Sequence, residues 1–305
     1  MPKGKILVTG SSGTIGTRLC ETLLERGFDV VGVDRRPNKY NPEVQKRTLV
    51  GDLLVASTFT MLPRDIDLVV HLAANARVYD SVVDPTLAIE NINIMYNVLE
   101  FCRKTGIKSF IFASSREVYG KQDVELVSED LASLSCSESP YTASKVAGEA
   151  MLHAYAECYG IGQVIVRFSN VYGRYDESNR LVPLFVRKTL AGEDLTVYGA
   201  EKTYDFTFVD DATDAVIAMI ERFNAIAGET FNIATGKGTS LLDVARKIQR
   251  IIGTDRPIHV KDNRTGELMR YVGDISKARA ALGYNPKTSV DDGLRHAVEW
   301  QKSLR

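Results

Sequence analysis

The chain is poor in the residues that build metal centres and disulfide frameworks. Its 305 residues include four cysteines, Cys20, Cys102, Cys136 and Cys158, and four dispersed histidines, with no paired spacing among them. Cysteines so scattered read as free thiols in a reducing compartment, and the histidines offer no ligand set, so no metal is expected. No apolar run approaches the ~18 residues of a membrane span. Met1-Pro2-Lys3-Gly4-Lys5 passes straight into Ile6-Leu7-Val8, without the pattern of a signal peptide. Neither sign of charge dominates, at 38 basic and 39 acidic residues with no basic run, which excludes the usual footprint of a nucleic-acid partner. A cytoplasmic globular protein is expected, with no membrane or nucleic-acid partner.

What is present is an alternation of strand-length apolar runs and helix-length amphipathic segments. Residues 5–8, 30–34, 48–51, 68–71, 110–113 and 163–168 are rich in Val, Ile, Leu and Phe with little polar alternation, as parallel strands covered on both faces require. Helix candidates at 14–26, 85–105 and 140–159 separate them. This order predicts an α/β protein with a doubly wound parallel sheet of the Rossmann type. After Val171 the rhythm changes. Helices are expected at 182–191 and 210–223, a strand at 229–233, a helix after an N-cap at Ser240, and a last helix at 290–304 carrying Trp300. We therefore expect residues 1–170 to bind a dinucleotide, with 205–234 partly returning to that domain. Residues 171–305 are expected to form a smaller α/β substrate-binding lobe.

The first strand leads into Thr9-Gly10-Ser11-Ser12-Gly13-Thr14-Ile15-Gly16 and then a helix. Gly10, Gly13 and Gly16 permit a tight turn, close approach of the backbone to a pyrophosphate, and close helix-to-strand packing. Amides near Thr14 and Ile15 at the helix N-terminus then face the phosphates. Asp34 ends the next strand, where a carboxylate accepts hydrogen bonds from ribose hydroxyls and repels a 2'-phosphate. Arg35 and Arg36 argue for NADP, but the acid decides for NAD. Asp52 and Leu53 suit the adenine edge, Asp52 having a helix N-cap as its alternative. Leu72, Ala73 and Ala74 let the cofactor lie against the backbone, and His71 reads as a packed strand-end residue.

Tyr141 and Lys145 lie four apart in Tyr141-Thr142-Ala143-Ser144-Lys145, so on a helix both face one cleft. A free phenol, with a pKa near ~10, is a poor base at neutral pH. A neighbouring ammonium and a cationic nicotinamide ring favour the phenolate. Ser115 supplies a hydroxyl to hold the oxygen of an alcohol or sugar while its proton leaves.

With Asp52-Leu53, His71-Leu72-Ala73-Ala74, Ser114-Ser115-Arg116-Glu117-Val118-Tyr119-Gly120, Arg167-Phe168-Ser169-Asn170-Val171-Tyr172-Gly173, Asp205 to Asp211 and Asp274 to Ala278, these motifs cover nearly the whole chain. The chain resembles the extended short-chain dehydrogenase/reductase family of nucleotide-sugar epimerases and dehydratases, and among them the UDP-glucose 4-epimerases. The resemblance implies that Ser115 binds the sugar 4-oxygen, that Tyr141 is the base, and that Lys145 tunes it and grips the nicotinamide ribose. It places Ser114, Phe168 and Asn93 with the cofactor set. It places Arg116, Asn170, Arg180 and Arg264 with the substrate, Arg264 clamping the diphosphate and Tyr271 limiting the 2-substituent by its bulk. A ring at 271 favours UDP-glucose and UDP-galactose over N-acetylated sugars.

Three departures from the family pattern stand out. Tyr204 replaces an arginine expected before Asp205, Arg180 stands where many relatives are neutral, and Arg116-Glu117 replaces small uncharged residues. Glu117 either pairs with Arg116 or takes a C5 proton, as the base of a 4,6-dehydratase does. Decarboxylases also carry a Glu here, but they commonly have Arg after the catalytic lysine, where this chain has Val146. The reading is an NAD-dependent 4-epimerase acting through a transient 4-keto sugar; the intact set of Ser115, Tyr141 and Lys145 argues against a non-catalytic dinucleotide-binding regulator. A homodimer through the helices at 85–105 and 140–159 is expected, as in the family. Calorimetry on the cofactor-stripped protein is predicted to give tighter binding of NAD than of NADP; the reverse order would remove Asp34 from its role.

Overall fold

The computed structural model describes residues 3–263 and 268–304. Seven strands form the central sheet: β1 (Lys3–Thr9), β2 (Phe28–Asp34), β3 (Thr48–Val50), β4 (Leu68–His71), β5 (Ser109–Ser115), β6 (Gly162–Phe168) and, much later in the chain, β10 (Thr230–Ile233). Their order is β10-β6-β5-β4-β1-β2-β3, and every pairing is parallel. Val8, Val69, Val70, Phe110, Ile111, Val164 and Val166 are all fully buried, because helices cover both faces. That double cover is why these strands show no apolar-polar alternation.

Helices α1 (Thr14–Glu25), α2 (Pro42–Arg47), α3 (Ala56–Thr60), α4 (Val78–Val83), α5 (Thr86–Thr105) and α6 (Pro140–Tyr159) connect the first six strands. The expected boundaries of the long ones hold within a residue or two. Helix α5 stops at Gly106 and α6 at Gly160, both in the left-handed conformation that an achiral residue adopts without strain. Helix α2 was not anticipated, although its start is written in Asn41-Pro42: the Asn41 side chain accepts the amides of Glu43 and Val44.

The strand order reverses between β1 and β4. In such sheets the loops at the carboxyl ends of those strands part and leave a crevice. The remaining elements cover it. Strand β7 (Asn170–Tyr172) and helix α7 (Leu181–Leu190) are followed by β8 (Leu195–Tyr198), β9 (Thr203–Phe208), α8 (Val209–Glu221) and α9 (Phe223–Ile226). Beyond β10 come β11 (Gly238–Ser240), α10 (Leu241–Ile252), β12 (Ile258–Lys261), β13 (Arg270–Tyr271), α11 (Ser276–Leu282) and α12 (Val290–Ser303). Strand β9 pairs with β7, β11 and β13, and β8 pairs with β12. As the sequence predicts, Ser240 caps α10, accepting the Asp243 amide at 3.0 Å. Among the described residues, no helix is long and apolar enough to cross a membrane.

Candidate active site

The crevice at the switch point opens into a cavity of about 910 Å³ that runs from the glycine turn to the second set of strands. Gly10, Gly13, Thr14, Ile15 and Gly16 line one end. Gly10 has φ +75°, and a Cβ there would lie 2.9 Å from the Ala73 amide nitrogen in the loop after β4. A Cβ on Gly16 would come within 2.0 Å of the Gly10 carbonyl, so α1 can start this close to β1 only without side chains. Asp34 closes the turn: its Oδ2 accepts the Ser12 amide at 3.0 Å and its Oδ1 the Arg36 amide at 2.9 Å. Both oxygens keep lone pairs for ribose hydroxyls. Asp52, Leu53, Leu72, Ala73 and Ala74 complete this wall. Asp52 also holds its own turn, through the Leu54 amide at 2.9 Å. A backbone cradle with an acid beyond it fits a dinucleotide.

Asn93 does not belong to this set. It is exposed and lies off the cavity, because two residues along a helix turn a side chain about 200° away. The inward amides of α5 are Asn91, which accepts the Asn75 amide at 2.7 Å, and Asn97, which donates to the Leu53 carbonyl at 2.9 Å. His71 is fully buried, with Thr9 Oγ1 2.7 Å from its Nδ1, and burial pulls its pKa down to about 3. A neutral, packed imidazole is the result.

Ser114, Ser115, Tyr141, Lys145 and Phe168 meet at the centre of the cavity. Tyr141 and Lys145 lie on the first two turns of α6, whose N-cap Ser139 accepts the Thr142 amide. Lys145 Nζ donates to the Ala113 carbonyl at 2.8 Å and lies 5.8 Å from the centre of the Tyr141 ring. Burial pushes the Tyr141 phenol up to about 12; the Ser115 hydroxyl opposes this, Glu117 adds to it, and Arg180 and Arg116 oppose it. Arg180 and Arg116 thus act on the phenol as cations, in addition to the nearby Lys145 ammonium. Burial also brings Lys145 down to about 8, against the pull of Glu149.

Arg116 and Glu117 form a 3-10 turn directly after β5, and both line the cavity. Their side chains make a buried ion pair at 2.8 Å. The Arg116 guanidinium lies over the Tyr204 ring, 4.2 Å from its centre, and the Tyr204 hydroxyl donates to the Leu268 carbonyl. Asn170 lines the same region and donates to the Asp205 carbonyl at 3.4 Å. Arg180 also reaches the wall, paired at 3.0 Å with Asp176, which the sequence reading passed over. The only sequence signal for Asp176 is an opposite charge four residues away. Thr196 and Tyr198 of β8 line the far end and were equally unannounced. Arg264 lies outside the described residues.

Tyr271 corrects the expectation drawn from its spacing. It is 1 % exposed and does not line the cavity, being stacked on Tyr119 at 5.9 Å behind Arg116. A ring buried there limits no substituent of a ligand, so the argument against N-acetylated sugars falls.

Lys145 makes a pH test possible. Its folded-state pKa, near 8, lies below the ordinary 10.5, so the unfolded chain binds more protons between those values and folding gains stability as pH rises. The Lys145→Met variant should be most favoured over the unmodified protein below about pH 8, an advantage that shrinks toward pH 10.5. Urea unfolding of both proteins at pH 7 and pH 10 measures this; an equal difference at both would contradict it.

Comparison with known proteins agrees with this geometry. The model of the NAD dependent epimerase/dehydratase family matches residues 6–234. An uncharacterized UDP-glucose epimerase of Bacillus subtilis is 35% identical, over 98% of each chain. The UDP-glucuronic acid 4-epimerase of Bacillus cereus, solved with UDP-glucuronic acid and NAD, superposes with a TM-score of 0.91 at 33% identity, covering 99% of this chain and 100% of that one. The UDP-glucose 4-epimerase of Thermotoga maritima, solved with UDP-glucose, gives 0.89 at 31% identity over 99% and 100%. The chain belongs to the NAD-dependent epimerase/dehydratase family, and NAD is its cofactor.

Proposed function

We propose that this protein is a nucleotide-sugar 4-epimerase acting on UDP-glucose and UDP-galactose. The observation that carries the reading is the Arg116–Glu117 pair, 2.8 Å apart in the cavity wall next to Ser115. Loss of water from a 4-keto sugar needs a free carboxylate to take the C5 proton and an acid to release the 6-hydroxyl. Glu117 is engaged by a guanidinium, and Arg116 has no proton to give at neutral pH. Tyr141 is then the group left to move a proton. The names of the Bacillus subtilis and Thermotoga maritima relatives support the same substrates.

In this reading Ser115 holds the 4-oxygen and Tyr141 takes its proton, then returns it once the sugar has presented its other face. Lys145 holds the nicotinamide ribose and, with Arg180 and Arg116, favours the phenolate. Bound NAD supplies the hydride acceptor and a positive charge beside the phenol. Asp34 holds the adenosine ribose, and Asn170, Arg180 and Arg264 meet the substrate diphosphate, for which a guanidinium is well shaped. Residues from β7 onward, apart from those that rejoin the central sheet, act as the substrate lobe. Because Glu117 lines the wall, a 4,6-dehydratase is the second reading.

A panel of UDP-sugars, with products resolved by NMR, separates the two. Interconversion with the 6-hydroxyl retained is expected. Tyr141→Phe should lower turnover on the order of 10²-fold or more, as for loss of a positioned base. Glu117→Gln should keep most of the activity. A 4-keto-6-deoxy product from the unmodified protein would overturn the epimerase reading.

We further propose a homodimer built on α5 and α6, which pack side by side. Ile89 and Tyr96, seven apart on α5, and Tyr159 at the end of α6 are exposed apolar groups that a second copy would cover. Light scattering at micromolar concentration should give twice the chain mass; a monomer would refute the interface.

A further inference from the structure

Tyr175 is the one non-glycine residue with positive φ, at +66°, among the described residues. A bulky side chain in the left-handed region stays there only when its surroundings over-determine it. Four ties do so here. The Tyr175 carbonyl accepts the hydroxyl of Thr14, the first residue of α1, at 3.1 Å. Its own hydroxyl donates to Glu21, further along α1, at 3.1 Å. Its ring packs 5.4 Å from Tyr40, in the loop after Asp34, and 6.0 Å from Trp300 of α12, while Tyr40 and Trp300 are 5.8 Å apart. Two residues on, Glu177 pairs with Lys39 at 2.8 Å.

The segment 174–180 thus crosses from one side of the dinucleotide end to the other. It is fastened to the start of α1 and to the loop that follows Asp34. Its inner side, Asp176, Ser178, Asn179 and Arg180, forms part of the cavity wall. Any dinucleotide whose diphosphate rests on the glycine turn lies next to the point where Tyr175 is tied to Thr14.

We propose that residues 174–180 are a strap that gates passage of the dinucleotide, closed by the three-ring cluster of Tyr40, Tyr175 and Trp300. The inference rests on the dinucleotide reading of the cavity but not on the identity of the sugar. Trp300 brings the last helix into the clasp, so the gate opens only when that helix and the loop after β2 separate. A cofactor held behind such a strap serves chemistry that restores it in each cycle, whereas net oxidation of a substrate requires it to leave.

A gate slows entry and exit by the same factor, whereas a direct contact to the ligand slows exit alone. The test therefore measures both rates with radiolabelled NAD: uptake by the stripped protein, and loss from the holoprotein into excess unlabelled NAD. Tyr175→Gly removes the ring while leaving a backbone that adopts the same φ freely. Trp300→Leu removes the third ring and keeps an apolar side chain. Both variants should speed entry and exit together, on the order of tenfold, with the dissociation constant unchanged. Faster exit at an unchanged entry rate, or unchanged rates in a variant that melts like the unmodified protein, would overturn the gate. Should Tyr175→Gly fail to fold, Trp300→Leu gives the decision. Because no sugar nucleotide is used, these outcomes are independent of the product panel that tests the epimerase reading.

Discussion

One carboxylate holds the centre of this protein in register. Glu149 lies on α6 one turn beyond Lys145 and accepts two bonds from one edge of the Arg167 guanidinium, from Nε at 2.9 Å and Nη2 at 2.7 Å. Ser114 of β5 donates to the same carboxylate at 2.5 Å. The helix that carries Tyr141 and Lys145 is therefore pinned to two neighbouring strands at a single point. Arg167 continues the network to the Tyr119 hydroxyl at 3.1 Å and the Glu129 carbonyl at 2.7 Å. Tyr119 in turn donates to Asn232 of β10, and Asn232 donates to the carbonyls of Val127 and Asp274. Buried pairs of this kind are costly to break, at about 3–5 kcal/mol when one partner is lost. Their use here is geometric, since rotation of α6 about its axis would carry Tyr141 away from Ser115.

The charges along the cavity are arranged so that few stand alone. Arg116 is paired with Glu117 and Arg180 with Asp176, while Lys145 leans on a backbone carbonyl. Pairing lets a buried wall hold several ions without the desolvation cost of isolated ones. It also keeps donors aimed at the cavity while limiting its net charge.

Much of the fold was legible because the central strands are buried on both faces and the glycine turn has strict steric needs. Runs such as Phe110-Ile111-Phe112 have few other uses, and Gly10 and Gly16 stand where a single Cβ would collide with backbone. The second set of strands was not legible. Strands β7, β11 and β13 have three, three and two residues, too few for any period to show, and each pairs with β9 from a distant part of the chain. In the site, residues read from local geometry, such as Tyr141 and Lys145 at helical spacing, meet in the cavity. Two residues placed by resemblance alone do not: Tyr271, set by its distance from Arg264, sits behind Arg116, and Asn93 faces outward. Spacing fixes which face of a helix a residue occupies, but it says nothing about which side chain stands in front in a folded loop.

The late arrival of β10 has a consequence for how such a protein can change. The edge strand of the central sheet is made only after β7, α7, β8 and β9 have been laid down, and it is then knotted to Tyr119 through Asn232. The covering elements from β7 to β9 are therefore an insertion within the sheet's own connectivity, while those from β11 onward follow it. Recombination cannot exchange them whole without leaving β6 as a raw edge, open to pairing with other chains. New specificity in this architecture has to come by substitution along the cavity wall, one side chain at a time.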